Sequence, residues 1–373
     1  MLQSNIHPSG GRQLSSLRAL GTERLTSLCH AVGATGRVRR GATSLFDLLV
    51  ESWGERAVGE EPPWPNDICD DGTPFELSLA FDGGRPLLRM LVEPQKAPFG
   101  ARSSWEAGLD LCQRLRDTGL GDTAAFDRVV DLFEPPSAHR GHFALWFAGV
   151  VGPSGDRLVK AYMNPQIHGA EEAPGVLRQA LERLDMPQAW PHLEPFLSGP
   201  GASARVPYFS VDLAPREEGR VKVYLARSGS AHEVDRIAST SASIGEGDAT
   251  AWLEHLTGSP GPYDGRPILT CLSFRRHEPR PGATVHVPIR CYARDDGQAV
   301  DRVTELLNGE NASRLRAGAE AVGRRPLSAG AGVLTYASVR REPGGLRVTV
   351  YLAPELYAPA TAQDESLAST TAG

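Results

Sequence analysis

The amino-acid sequence predicts an α+β fold: a ten-stranded antiparallel β-barrel surrounded by helices and built from five αββα-like repeats. Three observations predict this fold. Pairs of strand-like segments joined by turns recur five times, helix-like segments separate the pairs, and a short phrase recurs in their second strands. A sheet of ten strands tends to curl or close, and closure removes its unpaired edges.

The strand pairs alternate apolar residues around turns rich in glycine, proline and aspartate, which is typical of β-hairpins. In the first pair, Asp82-Gly83-Gly84 separates the two runs. The predicted pairs are residues 75–81 with 87–92, 142–150 with 158–163, 207–213 with 220–225, 269–274 with 285–292, and 334–339 with 347–352.

Apolar residues spaced three and four apart predict helices before and between the hairpins. These helices are predicted at residues 45–56, 104–116, 123–133, 176–184, 249–256, 300–307 and 312–322. We expect residues 1–358 to form a single domain. Residues 359–373, rich in Ala, Thr and Ser, are expected to form a disordered tail.

The composition argues against several classes of protein. A net charge of −6 and a pI near 6.0 argue against a nucleic-acid partner. The chain has no run of about 18 apolar residues, so we expect no membrane partner. Residues 1–11 lack the charged-then-apolar order of a signal peptide, which predicts a cytoplasmic protein. The five scattered cysteines predict reduced thiols rather than a zinc site.

The recurring phrase pairs a cation with an aromatic ring. Only three lysines occur beside 36 arginines, and two of them begin this phrase. The aligned phrases, at intervals of about 60 to 70 residues, are Arg89-x-Leu91, Lys160-x-Tyr162, Lys222-x-Tyr224, Arg290-x-Tyr292 and Thr349-x-Tyr351. Residues two apart on a strand point to the same face, so in the three middle phrases the cation and the ring would lie side by side.

These side chains either line the lumen or face solvent as charges on strand edges. A ten-stranded barrel has a lumen wider than its own side chains fill, which favours the first arrangement. A cationic, aromatic-lined lumen suits an anionic leaving group that departs from a forming carbocation.

The chain resembles the aromatic prenyltransferases of the tryptophan dimethylallyltransferase group over residues 71–351. The markers are Asp71-Gly-Thr-Pro-Phe-Glu76-Leu-Ser78, Leu88-Arg89-Met-Leu-Val-Glu93-Pro94 and, most specific, Arg220-Val-Lys222-Val-Tyr224. The resemblance implies a bacterial enzyme of secondary metabolism, such as alkaloid biosynthesis. It would transfer a prenyl group, with dimethylallyl diphosphate as the expected donor, to the indole ring of tryptophan or a derivative. We expect these small molecules as partners, no cofactor or metal, and a monomer or homodimer.

The predicted diphosphate-binding residues are cations of inward parity: Arg89, Lys160, Arg220, Lys222, Arg290 and Arg347. Charge-assisted hydrogen bonds from preplaced cations stabilise the charge that develops on the leaving group. These cations would replace the magnesium that aspartate-rich motifs hold in other prenyl-diphosphate enzymes. Asn66-Asp67-Ile-Cys-Asp70 spells an NDxxD string, which we interpret as a polar turn because no membrane helix accompanies it.

The resemblance implies a shield around the allyl cation formed by Tyr162, Tyr224, Tyr292, Tyr336 and Tyr351. Their π faces stabilise positive charge, and their bulk excludes water. The alternative is that these are ordinary strand tyrosines, since strands favour this residue.

Glu76 is the predicted catalytic residue. It lies among apolar neighbours, and in the family the glutamate of this motif hydrogen-bonds the indole N–H and takes a proton. The alternative is a salt bridge to Arg89. His286 is a second candidate base, and Trp146 either lines the acceptor pocket or belongs to the core. Residues 142–148 lack the lysine that assists attack from indole C4 in some members.

Two other functions remain open from the sequence. The barrel would bind a small hydrophobic or anionic molecule without catalysis, or would prenylate a phenol instead of an indole.

Overall fold

The computed structural model describes residues 15–137, 139, 141–198 and 204–357. The tail predicted at residues 359–373 lies outside these ranges.

Ten antiparallel strands form a closed barrel, which confirms the predicted fold. Each strand pairs with its neighbours in the chain, and β1 closes the barrel against β10. The strands are β1 (Phe75–Phe81), β2 (Leu87–Val92), β3 (Leu145–Val151), β4 (Arg157–Met163), β5 (Arg205–Asp212), β6 (Val221–Gly229), β7 (Tyr263–Phe274), β8 (Gly282–Val287), β9 (Leu334–Glu342) and β10 (Gly345–Leu352).

The helices surround this barrel. Within the described ranges they are α1 (Leu17–Ala31), α2 (Gly36–Val50), α3 (Ala101–Asp117), α4 (Ala124–Asp127), α5 (Ala173–Arg183), α6 (Glu194–Leu197), α7 (Ala231–Ala238), α8 (Asp248–Thr257), α9 (Asp296–Thr304) and α10 (Gly309–Val322). The segment predicted as one helix at 123–133 splits into α4 and a 3₁₀ turn at Val130–Phe133. Helices α1, α6 and α7 were not predicted.

Helix α1 begins after an N-terminal capping residue, Ser16, that was not identified from the sequence. The side chain of Ser16 accepts a hydrogen bond from the backbone N–H of Ala19 at 3.1 Å. Gly21 lies against the ring of Phe46, where an added Cβ would come within 2.3 Å of a ring carbon. A helix whose contact point is a glycine shows a weak apolar stripe, which explains why its periodicity was missed.

Side chains along each strand alternate between the lumen of the barrel and the apolar core outside it. On β4, Val159, Ala161 and Met163 are fully buried beneath the helices. Lys160 and Tyr162, between them, point the other way into the barrel. The polar lumen is therefore enclosed by a continuous apolar layer outside it.

The fourth hairpin corrects one prediction. The second strand was predicted to run over residues 285–292, but β8 ends at Val287. Pro288 has no backbone N–H to donate to the sheet, and Ile289–Cys291 forms a 3₁₀ turn instead. Arg290 and Tyr292 are therefore not strand residues, and the parity argument does not apply to them.

No helix in the described ranges is long and apolar enough to cross a membrane.

Candidate active site

The strand registers arrange the lumen in two layers. One layer, nearer the hairpin turns, contains the facing pairs Ser78 with Arg89, Ala148 with Lys160, and Ser210 with Lys222. The second layer, two residues farther from the turns, contains Glu76 with Leu91, Trp146 with Tyr162, and Tyr208 with Tyr224. Each strand contributes to both layers, because residues two apart share a face.

The layer near the turns surrounds a cation cavity with about 860 Å³ of empty space. Its cationic lining residues are Arg89, Lys160, Arg220, Lys222, Arg340 and Arg347. Five of these six were predicted from the sequence. Lys160 and Lys222 are only 4% and 8% exposed, so the protein holds their ammonium groups away from bulk water.

A buried carboxylate organises this layer. Asp212 lies 3.5 Å from Nζ of Lys160 and accepts a hydrogen bond from Nε of Arg220 at 2.8 Å. Burial alone would raise the pKa of Asp212, but the adjacent Lys160 and Arg220 hold it below its usual value. Asp212 therefore stays ionised and fixes two of the six cations in position.

Burial is the main cause of lowered pKa values in both lysines of this layer. Burial, followed by the nearby Lys222, lowers the pKa of Lys160 well below its usual value, against the attraction of Asp212. Burial is also the main reason that the pKa of Lys222 falls to about 8. An anion in the cavity would stabilise the charged form of both groups.

The second layer surrounds a ring cavity with about 820 Å³ of empty space. Its aromatic lining residues are Trp146, Tyr162, Tyr208, Tyr224, His286, Tyr336 and Tyr351. Arg89, Tyr224, His286 and Tyr351 line both cavities, so the two spaces adjoin each other.

The rings pack edge to face or tilted around this space. The ring centroids of Tyr162 and Tyr224 are 6.0 Å apart, and those of Tyr336 and Tyr351 are 6.4 Å apart. The guanidinium carbon of Arg89 lies 5.9 Å from the centroid of Tyr351, at the junction of the layers. Four of the five predicted shield tyrosines thus surround one cavity.

Glu76 lies at the wall of the ring cavity and is 5% exposed. The hydroxyl of Thr335 donates to its Oε1 at 2.5 Å. Burial raises the pKa of Glu76 to about 8, although Thr335 and Arg89 act in the opposite direction. Among the described residues no ion pair joins Glu76 to Arg89, so the salt bridge considered as the alternative does not form.

Trp146 contributes one wall of the ring cavity. Its indole Nε1 donates to Oε1 of Glu93 at 3.3 Å, and Gln95 donates to the other carboxyl oxygen at 3.2 Å. Glu93 is fully buried, and burial raises its pKa to about 8. In the sequence, Glu93 was identified only as part of a motif shared with the family. In the structure, its carboxyl group holds the indole of Trp146 in place.

His286 lies between the layers. Burial, with the nearby Lys222 and Arg89, lowers its pKa to about 3, so the imidazole is neutral. Its Nδ1 is 3.4 Å from the hydroxyl of Tyr351.

Arg290 and Tyr292 do not join the other predicted residues. Arg290 forms an ion pair with Asp70 and lines a separate surface cleft. Tyr292 packs against Tyr263, with ring centroids 5.8 Å apart, outside both cavities. The physical reason is the end of β8 before Pro288.

Three aromatic or cationic lining residues were missed: Tyr208, Arg266 and Arg340. Tyr208 faces Tyr224 across β5 and β6, and Arg340 faces Arg347 across β9 and β10. Tyr208 would have been found as the residue opposite the phrase tyrosine Tyr224, and Arg340 as the residue opposite the predicted cation Arg347. Arg266 pairs with Asp70 near the opposite end of β7, and nothing in the phrase points to it.

Within the described ranges, no three His, Cys, Asp or Glu side chains are grouped so that they could hold a metal ion.

Comparisons with known proteins match this architecture. The sequence pattern of the family described as tryptophan dimethylallyltransferase matches residues 44–316. The chain belongs to the tryptophan dimethylallyltransferase family. This membership confirms the resemblance drawn from the Glu76 motif and the cation-x-Tyr strands.

Several solved structures of tryptophan prenyltransferases are similar over nearly the whole chain. The 5-dimethylallyl tryptophan synthase of Streptomyces coelicolor, in complex with DMASPP and Trp, is 30% identical, with a TM-score of 0.83 over 93% of this chain and 97% of that one. The 6-dimethylallyltryptophan synthase of Micromonospora olivasterospora, also with DMASPP and Trp, is 31% identical, with a TM-score of 0.84 over 92% and 99%. Prenyltransferase PriB, with L-tryptophan and dimethylallyl thiolodiphosphate, is 34% identical, with a TM-score of 0.83 over 92% and 98%.

Among curated proteins, tryptophan dimethylallyltransferase cnsF of Penicillium expansum is 28% identical over 199 residues. That match spans 45% of this chain and 42% of the relative's length.

Proposed function

We propose that this protein transfers a dimethylallyl group from dimethylallyl diphosphate to the indole ring of tryptophan or a tryptophan derivative. The observation that carries the proposal is the pairing of a cation layer and a ring layer around adjoining cavities of one barrel. A diphosphate in the first layer would hold its allyl group in the second, where the acceptor binds. The complexes of related enzymes with tryptophan and a donor analogue support the same pair of substrates.

The cation layer would drive ionisation of the donor. An allylic diphosphate carries about three negative charges, and charge-assisted hydrogen bonds stabilise them most where the donors are already in place. Lys160 and Arg220 are fixed by Asp212, and Lys222 projects from the adjoining strand. Arg89, Arg340 and Arg347 complete the layer. The positive charge comes from side chains, so we propose that turnover needs no metal.

The ring layer would protect and direct the allyl cation. Tyr162, Tyr208, Tyr224, Tyr336 and Tyr351 line the space next to the diphosphate. Their π faces attract a cation, and their packing leaves little room for the water that would quench it. Trp146, held by Glu93, would provide a flat wall for the indole of the acceptor.

Glu76 would act on the acceptor. A carboxylate at the wall of the ring cavity can accept a hydrogen bond from the indole N–H, which increases the electron density of the ring. After the new bond to carbon or N1 forms, the ring must lose a proton, and Glu76 is placed to accept it. His286 in the same cavity would be a weaker proton acceptor than Glu76, because burial lowers its pKa to about 3.

We also propose that the chain works as a single cytoplasmic unit, as monomer or homodimer. The strand order supports the single unit, because the first and last strands pair and every hairpin contributes to one barrel.

The decisive experiment incubates the protein with dimethylallyl diphosphate and L-tryptophan in the presence of EDTA. We expect equal amounts of pyrophosphate and of a prenylated tryptophan identified by mass spectrometry and NMR. Pyrophosphate release without a prenylated product, or a requirement for added magnesium, would contradict the proposal. Replacing tryptophan with a phenolic acceptor distinguishes an indole from a phenol prenyltransferase.

A further inference from the structure

The cation cavity continues outward at the end of the barrel where the hairpin turns lie. A second space of about 1060 Å³ lies there, between the β7–β8 turn, the β9–β10 turn and the loop around Ser243. Arg220, Arg340 and Arg347 line both spaces, so they form the boundary between them. We call this second space the arginine vestibule.

The arginine vestibule is strongly positive in a protein whose net charge is −6. Six arginines and two glutamates line it, which leaves a net of four positive charges. Three of the arginines, Arg275, Arg280 and Arg341, do not line the cation cavity. The reaction proposed above gives them no role.

These outer arginines are held in place by the protein. Arg341 forms an ion pair with Asp248 at 2.8 Å, and Arg275 donates to the carbonyl oxygen of Glu218 at 3.0 Å. Arg280 donates to three successive carbonyl groups that follow α7, and among the described residues it has no ion-pair partner. Fixed cations around an opening concentrate anions there and raise their association rate.

Glu342 lies at the boundary of the two spaces. It forms an ion pair with Arg340 and lies 3.9 Å from Nη1 of Arg347. Both guanidinium groups also line the cation cavity, so Glu342 and an arriving diphosphate would compete for them. The carboxylate of Glu342 is therefore the counter-ion of Arg340 and Arg347.

Access to the other cavity lies at the opposite end. Asp67 and Arg266, which line the ring cavity, are far along the strands from the hairpin turns. An acceptor seated against Glu76 and Trp146 blocks that end. A diphosphate then has a route of its own only through the turns.

We propose that diphosphate groups exchange through the arginine vestibule, with Glu342 as the counter-ion that they displace. This inference rests on the proposed function, in which an organic diphosphate arrives and inorganic pyrophosphate leaves in each turnover. Inorganic pyrophosphate leaves without passing the molecule bound in the ring cavity. Glu342 then pairs again with Arg340 and Arg347.

The test measures binding of inorganic pyrophosphate to the full chain by stopped-flow intrinsic fluorescence, at low salt and at high salt. In the double variant Arg275→Gln/Arg341→Gln, we expect the association rate constant at low salt to fall roughly five-fold, and the difference to vanish near ~0.5 M salt. The matched control is Arg102→Gln/Arg178→Gln, which removes two exposed, glutamate-paired arginines from outer helices. Equal rates and equal salt dependence in all three proteins would overturn the route.

A second variant tests the counter-ion separately. Glu342→Gln keeps the shape of the side chain but removes its charge, so we expect pyrophosphate to bind roughly ten-fold more tightly. Unchanged or weaker binding would overturn the role of Glu342.

The two proposals fail in different ways. A protein that shows these binding effects but forms no prenylated product would sink the proposed function alone. A protein that prenylates tryptophan but shows control-like kinetics in the vestibule variants would sink the route alone.

Discussion

The two layers of the lumen lie two residues apart on the same strands, yet burial acts on them in opposite directions. In the cation layer it lowers the pKa of Lys222 to about 8, and in the ring layer it raises the pKa of Glu76 to about 8. Low-dielectric surroundings disfavour charge of either sign. Each of these groups is therefore less readily ionised than in water, and we expect the diphosphate to favour charged Lys222 and the allyl cation to favour charged Glu76.

Removing a cation should have the largest effect, because cations carry most of the stabilisation of the leaving group in that layer. We expect Lys222→Ala to lower kcat by about 10²- to 10³-fold while the fold survives. Steady-state pyrophosphate release and circular dichroism check this. Lys96→Ala is the matched control, since Lys96 is the exposed third lysine of the chain, and it should keep wild-type activity. If both lysine variants behave alike, Lys222 does not bind the diphosphate.

Changing the acid of the ring layer should have a smaller effect, confined to the acceptor. We expect Glu76→Gln to lower kcat by roughly 10- to 100-fold, because a neutral amide accepts no proton, and to leave pyrophosphate affinity unchanged. Product formation and pyrophosphate titration measure the two quantities. Glu93→Gln alters a carboxyl group of similar pKa that does not line the cavity. We therefore expect kcat to fall several-fold less in Glu93→Gln than in Glu76→Gln. A larger loss in Glu93→Gln than in Glu76→Gln would contradict the assignment.

The pH profiles should separate the two layers. The value of kcat/KM for the donor should fall as pH rises through about 8, because Lys222 then loses its proton. At saturating donor, kcat/KM for the acceptor should rise through about 8, because Glu76 then becomes a carboxylate. Glu76→Gln should abolish the rising limb and keep the falling one. Two parallel profiles would mean that one group controls both substrates.

The smallest effect is expected from a residue that shares the sequence phrase but neither layer. Arg290→Ala should change kcat by less than about two-fold, a surface-type effect, because Arg290 pairs with Asp70 outside the cavities. The same measurement on Arg89→Ala provides the contrast, and we expect at least a ten-fold loss there. A large loss in Arg290→Ala would mean that residues 288–292 rearrange when substrate binds.

The local pattern of apolar and turn residues was sufficient to predict most strands of the barrel. The first hairpin spans the residues that its alternation and turn predict. Its inward residues follow from a period of two, which is fixed by the chain itself. For the same reason the cation-x-Tyr phrase located Lys160 and Tyr162 without knowledge of any other strand.

Contacts between distant segments were the part that sequence could not provide. The hydrogen bond from Thr335 to Glu76 joins residues of β9 and β1, and Asp212 meets Lys160 across β4 and β5. Such pairs depend on register, which only the closed sheet determines. The error at Arg290 has a different cause, since Pro288 is visible in the sequence and should have ended the strand there.

The pairing of β1 with β10 has a consequence for the folding of this protein as it is synthesised. The first and last strands in the chain are neighbours in space, so the wall stays open until residues Gly345–Leu352 dock. A polypeptide that stops earlier exposes β1 and the last strand completed as free edges, which are templates for aggregation. Truncated messages should therefore yield insoluble protein rather than a weakened catalyst.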